Sequence, residues 1–588
     1  MDPAAATPPA SIRARIHESA VKRVTRIYAA TLADIFAETL QNSRRAGATR
    51  VRIAVFGSSG APDADEPYFT VTVADDGAGI ADPAVLLSFG ENGWDDALVR
   101  REDAAGFGFA SLARRDCAVS SRRRSTGGEL APGWRVELAP EHFLGEAAAE
   151  VRADEQAPYP HGTAVSFRAT EHAAAIRNAA ETAARHYPLP VIFEDRTEDG
   201  TAGPEDLPRR AFLDGAVHAE AWRGLVFGVF RNRHAGYNPP DLNFHGLTLA
   251  LRLPTVETVH GATWTVLADV DDCPDLELVL PARKEAVENA FLKEMRAAAR
   301  LAVYRAMAAD PNPRPAFEDW TRARAAGIEI APPPAVLRPW RPAIAHVDDW
   351  RDPPKLADVG RDTLVMDCHP EPHQAQALWR AAERGGAASR LFEADLRLEG
   401  YGWYDGLDRV AGMAVEITLD GKPHALDDAP LPERSGPCVA DLPPRPDAVR
   451  IELAVRAAEG PADVLFLPAD VAFAGEAWSH VDDALPLVTA DSTLQPHQLA
   501  ALLRNGFFSP SDEFDADSYE TQSDRFDEEA LHLATRLLLS DDEACRQSIA
   551  EAVRRQLMWL VPGDRAVDIR IRRPDITVTL AAAGEAAR

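Results

Sequence analysis

Two short runs of this sequence carry residue types that could act together on a bound molecule. In Glu38-Thr-Leu-Gln-Asn42 a carboxylate and an amide stand four residues apart, so a helix would stack them on one face. A carboxylate can orient or deprotonate a water, and an amide oxygen can ligate a hard cation such as Mg2+. The second run, Asp75-Asp76-Gly77-Ala78-Gly79, comes directly after Phe69-Thr-Val-Thr-Val-Ala74, which alternates like a strand. Glycines at a strand end let backbone pass close to a flat base. The Asp75 carboxylate could accept an amino proton from such a base. Together the runs suggest a nucleotide site.

The two commoner nucleotide signatures are missing. The sequence has no Gly-x-x-x-x-Gly-Lys-Ser/Thr run and no Gly-x-Gly-x-x-Gly between a first strand and a helix. Two other glycine motifs stand further along the chain, Ala105-Gly106-Phe107-Gly108-Phe109-Ala110-Ser111-Leu112 and then His161-Gly162-Thr163-Ala164-Val165. In this order (Glu/Asn helix, Asp-x-Gly-x-Gly turn, Gly-x-Gly turn, Gly-Thr strand) the chain resembles the GHKL superfamily, the ATPases typified by gyrase B, Hsp90, histidine kinases and MutL. The resemblance covers about residues 11–195 and extends more weakly to about residue 310.

The resemblance implies a Bergerat-type α/β sandwich at the N-terminus that binds ATP with Mg2+. It assigns Glu38 to the attacking water and Asn42 to the metal. Asp75, Gly77 and Gly79 would read adenine, with Thr163 supporting it through a water. Gly106 and Gly108 would open a helix whose amides face the phosphates, and Gly106–Ser111 looks most like the Hsp90 form of this motif. In gyrase B-like and MutL-like relatives a ribosomal S5-type α/β domain comes next and sends a basic residue to the γ-phosphate. Lys284, or its neighbour Arg283, sits at the matching strand-to-helix turn. Two positions depart from the pattern. Arg45 stands where relatives often carry Asp, and Asp103 where they often carry Gly. Binding is therefore better supported than turnover, and slow hydrolysis is expected.

The elements that must position these residues are legible from periodicity. Residues 11–48 read as two helices, the second beginning near Thr31, carrying Leu32, Ile35, Phe36 and Leu40, and ending at Gly47. Strands are expected at 51–55, 69–73, 134–137 and 163–168, and a helix at 174–187. Residues 58–67 read as a turn-rich hairpin loop, and 82–104 as a flap over the ligand. The expected domains are a GHKL-type domain at 11–200, an S5-like domain at 205–310 and a Pro-rich linker at 311–355. A β-rich or α/β domain at 356–480 and a mostly helical region at 485–588 complete the chain. Within the second domain, strands are expected at 224–230, 247–253, 263–270 and 276–280, before a helix at 284–309. The acidic run 511–529 reads as a loop.

At 588 residues the chain exceeds a single core. Its net charge of −29 repels a phosphate backbone, so nucleic acid is not an expected partner. Arg114, Arg115 and Arg122 to Arg124 form the densest basic cluster, read as a solvated loop. The five cysteines are scattered, without a Cys-x-x-Cys pair, which argues against a disulfide framework or zinc ribbon. No leader or membrane-spanning run is recognised, so a cytoplasmic location without membrane contact is expected. Cys368-His369-Pro-Glu-Pro-His373 has metal-ligand types but reads as a surface turn. Asp512–Glu520 lacks the central Gly of a calcium loop, and His17 reads as a helix surface residue. The expected activity is that of a GHKL-type ATPase or ATP-driven switch, with an ATP-dependent homodimer and a protein partner for the C-terminal half. The alternatives are a non-hydrolysing nucleotide-regulated protein and a MutL- or gyrase-like DNA-associated subunit.

Overall fold

The computed structural model describes residues 31–57, 68–88, 94, 108–124, 129–158, 160–197, 203–232, 240–279, 285–345, 352–432, 442–514, 516–561, 565–572 and 574–582. The first expected helix, the 58–67 loop, most of the 82–104 flap, Gly106, Arg283 and Lys284 lie outside them. The chain is α/β and divides into two compact units, one ending at Pro333 and the other beginning at Pro334.

The first unit opens with helix α1 (Leu32–Arg45). Thr31 caps it reciprocally with Asp34: the Thr31 hydroxyl accepts from the Asp34 amide, and the Asp34 carboxylate accepts from the Thr31 amide at 3.0 Å. Gly47, at φ +69°, ends it. Strands β1 (Val51–Phe56), β2 (Phe69–Asp75), β3 (Cys117–Arg122), β4 (Trp134–Leu138), β5 (Val151–Ala153), β6 (Gly162–Ala169), β7 (Val191–Arg196) and β8 (Glu205–Asp206) form one sheet in the order β5-β4-β3-β6-β2-β1-β7-β8. Its neighbours are antiparallel except β1 and β7. Helix α2 (Ala173–Ala184) packs beside α1. Ile35, Phe36 and Leu40 of α1 and Ile176 and Ala180 of α2 share a core with Val51, Val71, Val119 and Phe167 of the sheet. This burial fixes the rotation of α1, leaving the Glu38–Asn42 face off the core.

A second sheet comes next, with strands β9 (His218–Trp222), β10 (Leu225–Arg231), β11 (Leu242–Phe244), β12 (Leu247–Leu249), β13 (Thr255–Glu257) and β14 (Thr263–Val270). Its order is β12-β11-β14-β10-β9, with β13 also on β14. Helix α3 (Ala290–Ala308) buries Leu292, Met295, Ala299 and Val303 against it. Three expectations change here. Residues 276–279 are irregular, with only an isolated bridge from Leu278 to Ala286. The strand expected at 247–253 stops at Leu249. The helix starts at Ala290, because the Asn289 side chain caps it by accepting from the Leu292 amide at 3.0 Å.

The expected Pro-rich linker is structured in its first half. It contains helix α4 (Phe317–Ala325), and Ala323 and Ile330 belong to the core beneath the second sheet.

The second unit holds strands β15 (Val336–Leu337), β16 (Ala357–Asp358), β17 (Leu364–Met366), β18 (Leu391–Glu393), β19 (Asp408–Leu419), β20 (Lys422–Ala425), β21 (Ala448–Arg456) and β22 (Asp463–Ala469), with helix α5 (Pro372–Arg384) between β17 and β18. Its main sheet runs β18-β17-β19-β21-β22. Strands β23 (Val471–Ala474) and β24 (Leu485–Val488) come after it, and then helices α6 (Pro496–Phe507), α7 (Tyr519–Leu538) and α8 (Asp541–Gln556). The acidic run is a loop only as far as Ser518, which caps α7; from Tyr519 it is helical. The C-terminal region is also not helical throughout. Strands β25 (Arg565–Arg572) and β26 (Asp575–Ala582) pair as an antiparallel hairpin. Val567, Ile569 and Ile571 pair with Leu580, Val578 and Ile576 on one of its faces.

Candidate functional site

Four separated stretches of sequence converge on the C-terminal half of α1. Glu38 and Asn42 lie one turn apart. Against them lies Gly108, at the start of a five-residue 3-10 stretch, Gly108–Leu112. A Cβ at Gly108 would stand 2.5 Å from Glu38 Oε2 and 3.7 Å from Asn42 Nδ2, so any side chain there would push the Glu38 carboxylate aside. The stretch is anchored by Leu112 and Ala113 in the core and by Phe109, whose ring stacks on Phe143 at 5.9 Å. The helix expected from Gly108 is only this 3-10 stretch, which ends at Leu112. Soon after Leu112 the chain enters β3, whose alternating Cys117-Ala-Val-Ser-Ser-Arg122 is claimed by the sheet.

The residue after Asn42 reaches the second motif. Ser43 Oγ donates to Asp75 Oδ2 at 3.0 Å and lies 3.0 Å from the Thr39 carbonyl. Asp75, at the end of β2, also accepts from the Gly77 amide at 2.9 Å and the Thr163 amide at 3.3 Å, both on Oδ1. Thr163 is Asp75's register partner on β6, which is why the Gly-Thr motif arrives here. Burial pushes the Asp75 carboxyl above its ordinary range, and the bonds from Gly77, Ser43 and Thr163 only partly offset it.

The glycines here are required by close approach. Gly162, at φ +130°, brings its Cα so near β2 that a Cβ would lie 2.0 Å from the Asp75 carbonyl oxygen. Gly79, at φ +75°, would collide with the Arg122 carbonyl oxygen at 2.2 Å. A Cβ on Gly77 would stand 2.7 Å from Ala46 Cβ at the end of α1. Beneath these turns Ser121 Oγ donates to the Gly162 carbonyl at 3.0 Å and lies 3.1 Å from Thr163 Oγ1, and the Ile80 amide donates to it at 2.9 Å.

Several of these residues escaped the sequence reading. Ser43, Ser121 and His161, whose Nδ1 lies 2.7 Å from the Gly77 carbonyl, carry no motif of their own. Asp76, read as a variable position, is a clamp. It accepts from the Thr49 amide at 2.7 Å, the Thr49 hydroxyl at 2.6 Å and the Arg50 amide at 3.2 Å. Although its partial burial acts the other way, these bonds hold Asp76 below the ordinary carboxylate range. Its signal was an Asp facing the Gly-Ala-Thr turn after α1. Arg45, flagged as a departure, donates from Nη1 to Asn42 Oδ1 at 3.4 Å.

One further contact ties this helix to the second sheet. Gln41, buried on the face away from Asn42, donates from Nε2 to the carbonyls of Phe244 at 3.2 Å and His245 at 2.6 Å, at the β11–β12 turn. Tyr187 OH donates to the Leu40 carbonyl at 2.6 Å.

The other clusters are structural. His373 stacks on Phe507 at 5.0 Å and locks α5 to α6, and burial lowers its pKa. Burial likewise raises the Cys368 thiol. Among the described residues no group of three His, Cys, Asp or Glu is placed to hold a metal. None of their helices is long and apolar enough to cross a membrane.

No protein-family model matches the chain, and no curated protein matches it significantly. Among solved structures, the N-terminal domain of a DNA repair protein aligns at 14% identity and a TM-score of 0.21, over 36% of this chain and 65% of that one. The chain therefore spans about two thirds of that structure's length. The B-subunit of the DNA gyrase from Myxococcus xanthus aligns at 15% identity and a TM-score of 0.29, over 49% of this chain and 90% of that one. At such TM-scores neither likeness carries weight for function, and the geometry of the chain itself must do so.

Proposed function

We propose that residues 31–196 form a GHKL-type, Bergerat-like nucleotide-binding domain that takes ATP. One observation carries this reading: Gly108, without a Cβ, is seated against Glu38 and Asn42, while the adjacent Ser43 is bonded to Asp75 and Asp75 to Thr163. Motifs so far apart in sequence would have no reason to converge on one helical turn as ordinary surface turns. Adenine would lie at Asp75, against the backbone of Gly77 and Gly79. The phosphates would run toward Glu38, Asn42 and Gly108, where Glu38 could hold and deprotonate a water.

Asn42 Oδ1 accepts one long bond, 3.4 Å, from Arg45 and keeps a second lone pair, so Asn42 is the residue that would hold a Mg2+, which would neutralise phosphate charge. No step is assigned to the metal. The departures at Arg45 and Asp103 favour nucleotide binding as the primary activity, with hydrolysis through Glu38 slow.

The S5-like reading of residues 205–310, a γ-phosphate role for Lys284 or Arg283, and the Hsp90-like form of 106–111 belong to the same proposal and rest on sequence. So do ATP-dependent pairing of two copies and a protein partner for the second unit. The test is equilibrium binding and turnover of ATP by the full chain, beside Glu38→Ala and Asp75→Asn. The expected result is turnover lost and binding kept in the first, and binding lost in the second. Binding that survives Asp75→Asn would refute the pocket.

A further inference from the structure

We infer that the domain built on the second sheet carries a binding site for a small oxyanion of phosphate size, between the β13–β14 turn and the chain that leaves α3. It is a further site, and its argument does not depend on the ATP reading.

Three stretches of sequence make its walls. Arg231 ends β10 and is the register partner of Trp264 on β14, so its guanidinium lies over the indole, 5.6 Å from the ring centre. The turn from Thr258 to Ala262 joins β13 to β14 and forms the second wall. The third is Asp310-Pro-Asn-Pro-Arg-Pro315, just after α3. Pro313 and Pro315 flank Arg314 and stiffen the backbone there. The Arg314 carbonyl accepts from the Val259 amide at 2.7 Å, which holds this stretch beside the turn. The cavity between the walls measures about 180 Å3. That is several times the ~30 Å3 of one water and below the ~300 Å3 at which pockets begin to suit drug-sized molecules.

Its charge selects the ligand class. Two guanidinium groups, of Arg231 and Arg314, and one carboxylate, of Asp310, line the cavity. Both oxygens of that carboxylate are engaged: Oδ1 accepts from the Asn312 amide at 2.9 Å, and Oδ2 pairs with Arg231 Nη1 at 3.2 Å. The Asp310 side chain is only 4% exposed, which fixes this pair in the wall. Arg314 is the uncompensated charge. Its Nε is buried without a hydrogen-bond partner, and its guanidinium makes no ion pair, among the described residues. A partly desolvated cation with no counter-charge is costly, and an anion in the cavity supplies that counter-charge. The planar paired donors of a guanidinium match phosphate oxygens. The prolines and the Arg231–Trp264 stack already order the walls, so little ordering remains to oppose binding.

Binding of inorganic phosphate to the full chain is measured by calorimetry at fixed ionic strength, with chloride as the comparison anion. The wild type is expected to bind phosphate saturably, and an equal concentration of chloride not to displace it. Arg314→Gln is expected to weaken binding by about tenfold or more, through loss of charge-assisted hydrogen bonds. Arg314→Lys, which keeps the charge but not the planar fork, is expected to fall between the two. Arg314 is tied to the fold by its backbone carbonyl, so both variants should keep the wild-type melting temperature in the absence of phosphate, and a thermal melt checks this. No saturable binding up to about 10 mM phosphate overturns the inference. Displacement by an equal concentration of chloride, or an Arg314→Gln chain that binds phosphate as tightly as wild type, overturns it equally. The ATP reading stands in each of these cases.

Discussion

Gly108→Ala is the sharpest test of the convergence on α1. The new Cβ would lie 2.5 Å from Glu38 Oε2, so reaching an ordinary contact of 3.4 Å requires a movement of about 0.9 Å. The carboxylate is the end of a flexible side chain and can yield by turning about its own bonds, at about 0.5–1.5 kcal/mol. The fold should therefore survive with only a small drop in melting temperature. A misplacement of this size in a catalytic group costs on the order of 100-fold in rate. Asn42 Nδ2, at 3.7 Å from the new Cβ, need not move. The variant should thus bind ATP within a few-fold of wild type while its single-turnover hydrolysis falls by roughly two orders of magnitude. A Gly108→Ala chain that hydrolyses ATP at the wild-type rate would refute the placement of Glu38 at the reacting end.

Three further outcomes are expected. Gly162→Ala combines a left-handed φ with a Cβ 2.0 Å from a backbone oxygen that cannot turn aside. It should lower the unfolding free energy by about 3 kcal/mol or more, read as a shift in the urea midpoint at constant slope. Asp75 has its pKa raised by burial, so its contribution to stability is fully present below the ordinary value of 3.8 and lost as pH rises through the folded-state value. Compared with Asp75→Asn, the wild type should lose relative stability as pH rises from 3.8 toward neutral, and a relative gain over that range would contradict the assignment. In the second unit, Asp470 is nearly fully buried and bonded to Arg380, Arg384 and Ser492. Asp470→Ala should destabilise that unit by about 3–5 kcal/mol, because two guanidinium groups lose their counter-charge; a shift in the urea midpoint reads it.

The site was legible where chemistry and periodicity coincide. Glu38 and Asn42 stand at helical spacing inside an apolar stripe that only one rotation of α1 can bury. Asp75 ends an alternating strand. Ser43, Ser121 and His161 were not legible, because a hydroxyl or imidazole that bonds backbone needs only a neighbour in space. The helix expected from Gly108 is short for a related reason: the period-two pattern from Cys117 leaves too few residues for a longer one. The start of α3 was displaced because the capping Asn289 was passed over in favour of the basic Arg283-Lys284 pair. The C-terminal hairpin was readable in Val567, Ile569 and Ile571, then Ile576, Val578 and Leu580. Its alternation was masked by the helical stretches before it.

Gln41 and Asn42 are consecutive, yet their side chains serve different bodies. One latches onto the β11–β12 turn, and the other faces the proposed phosphates. Both bonds of the latch come from Gln41 Nε2; its Oε1 has no hydrogen-bond partner among the described residues. Because the two residues share one helix turn of fixed ~1.5 Å rise per residue, a shift of α1 along its axis moves both side chains together.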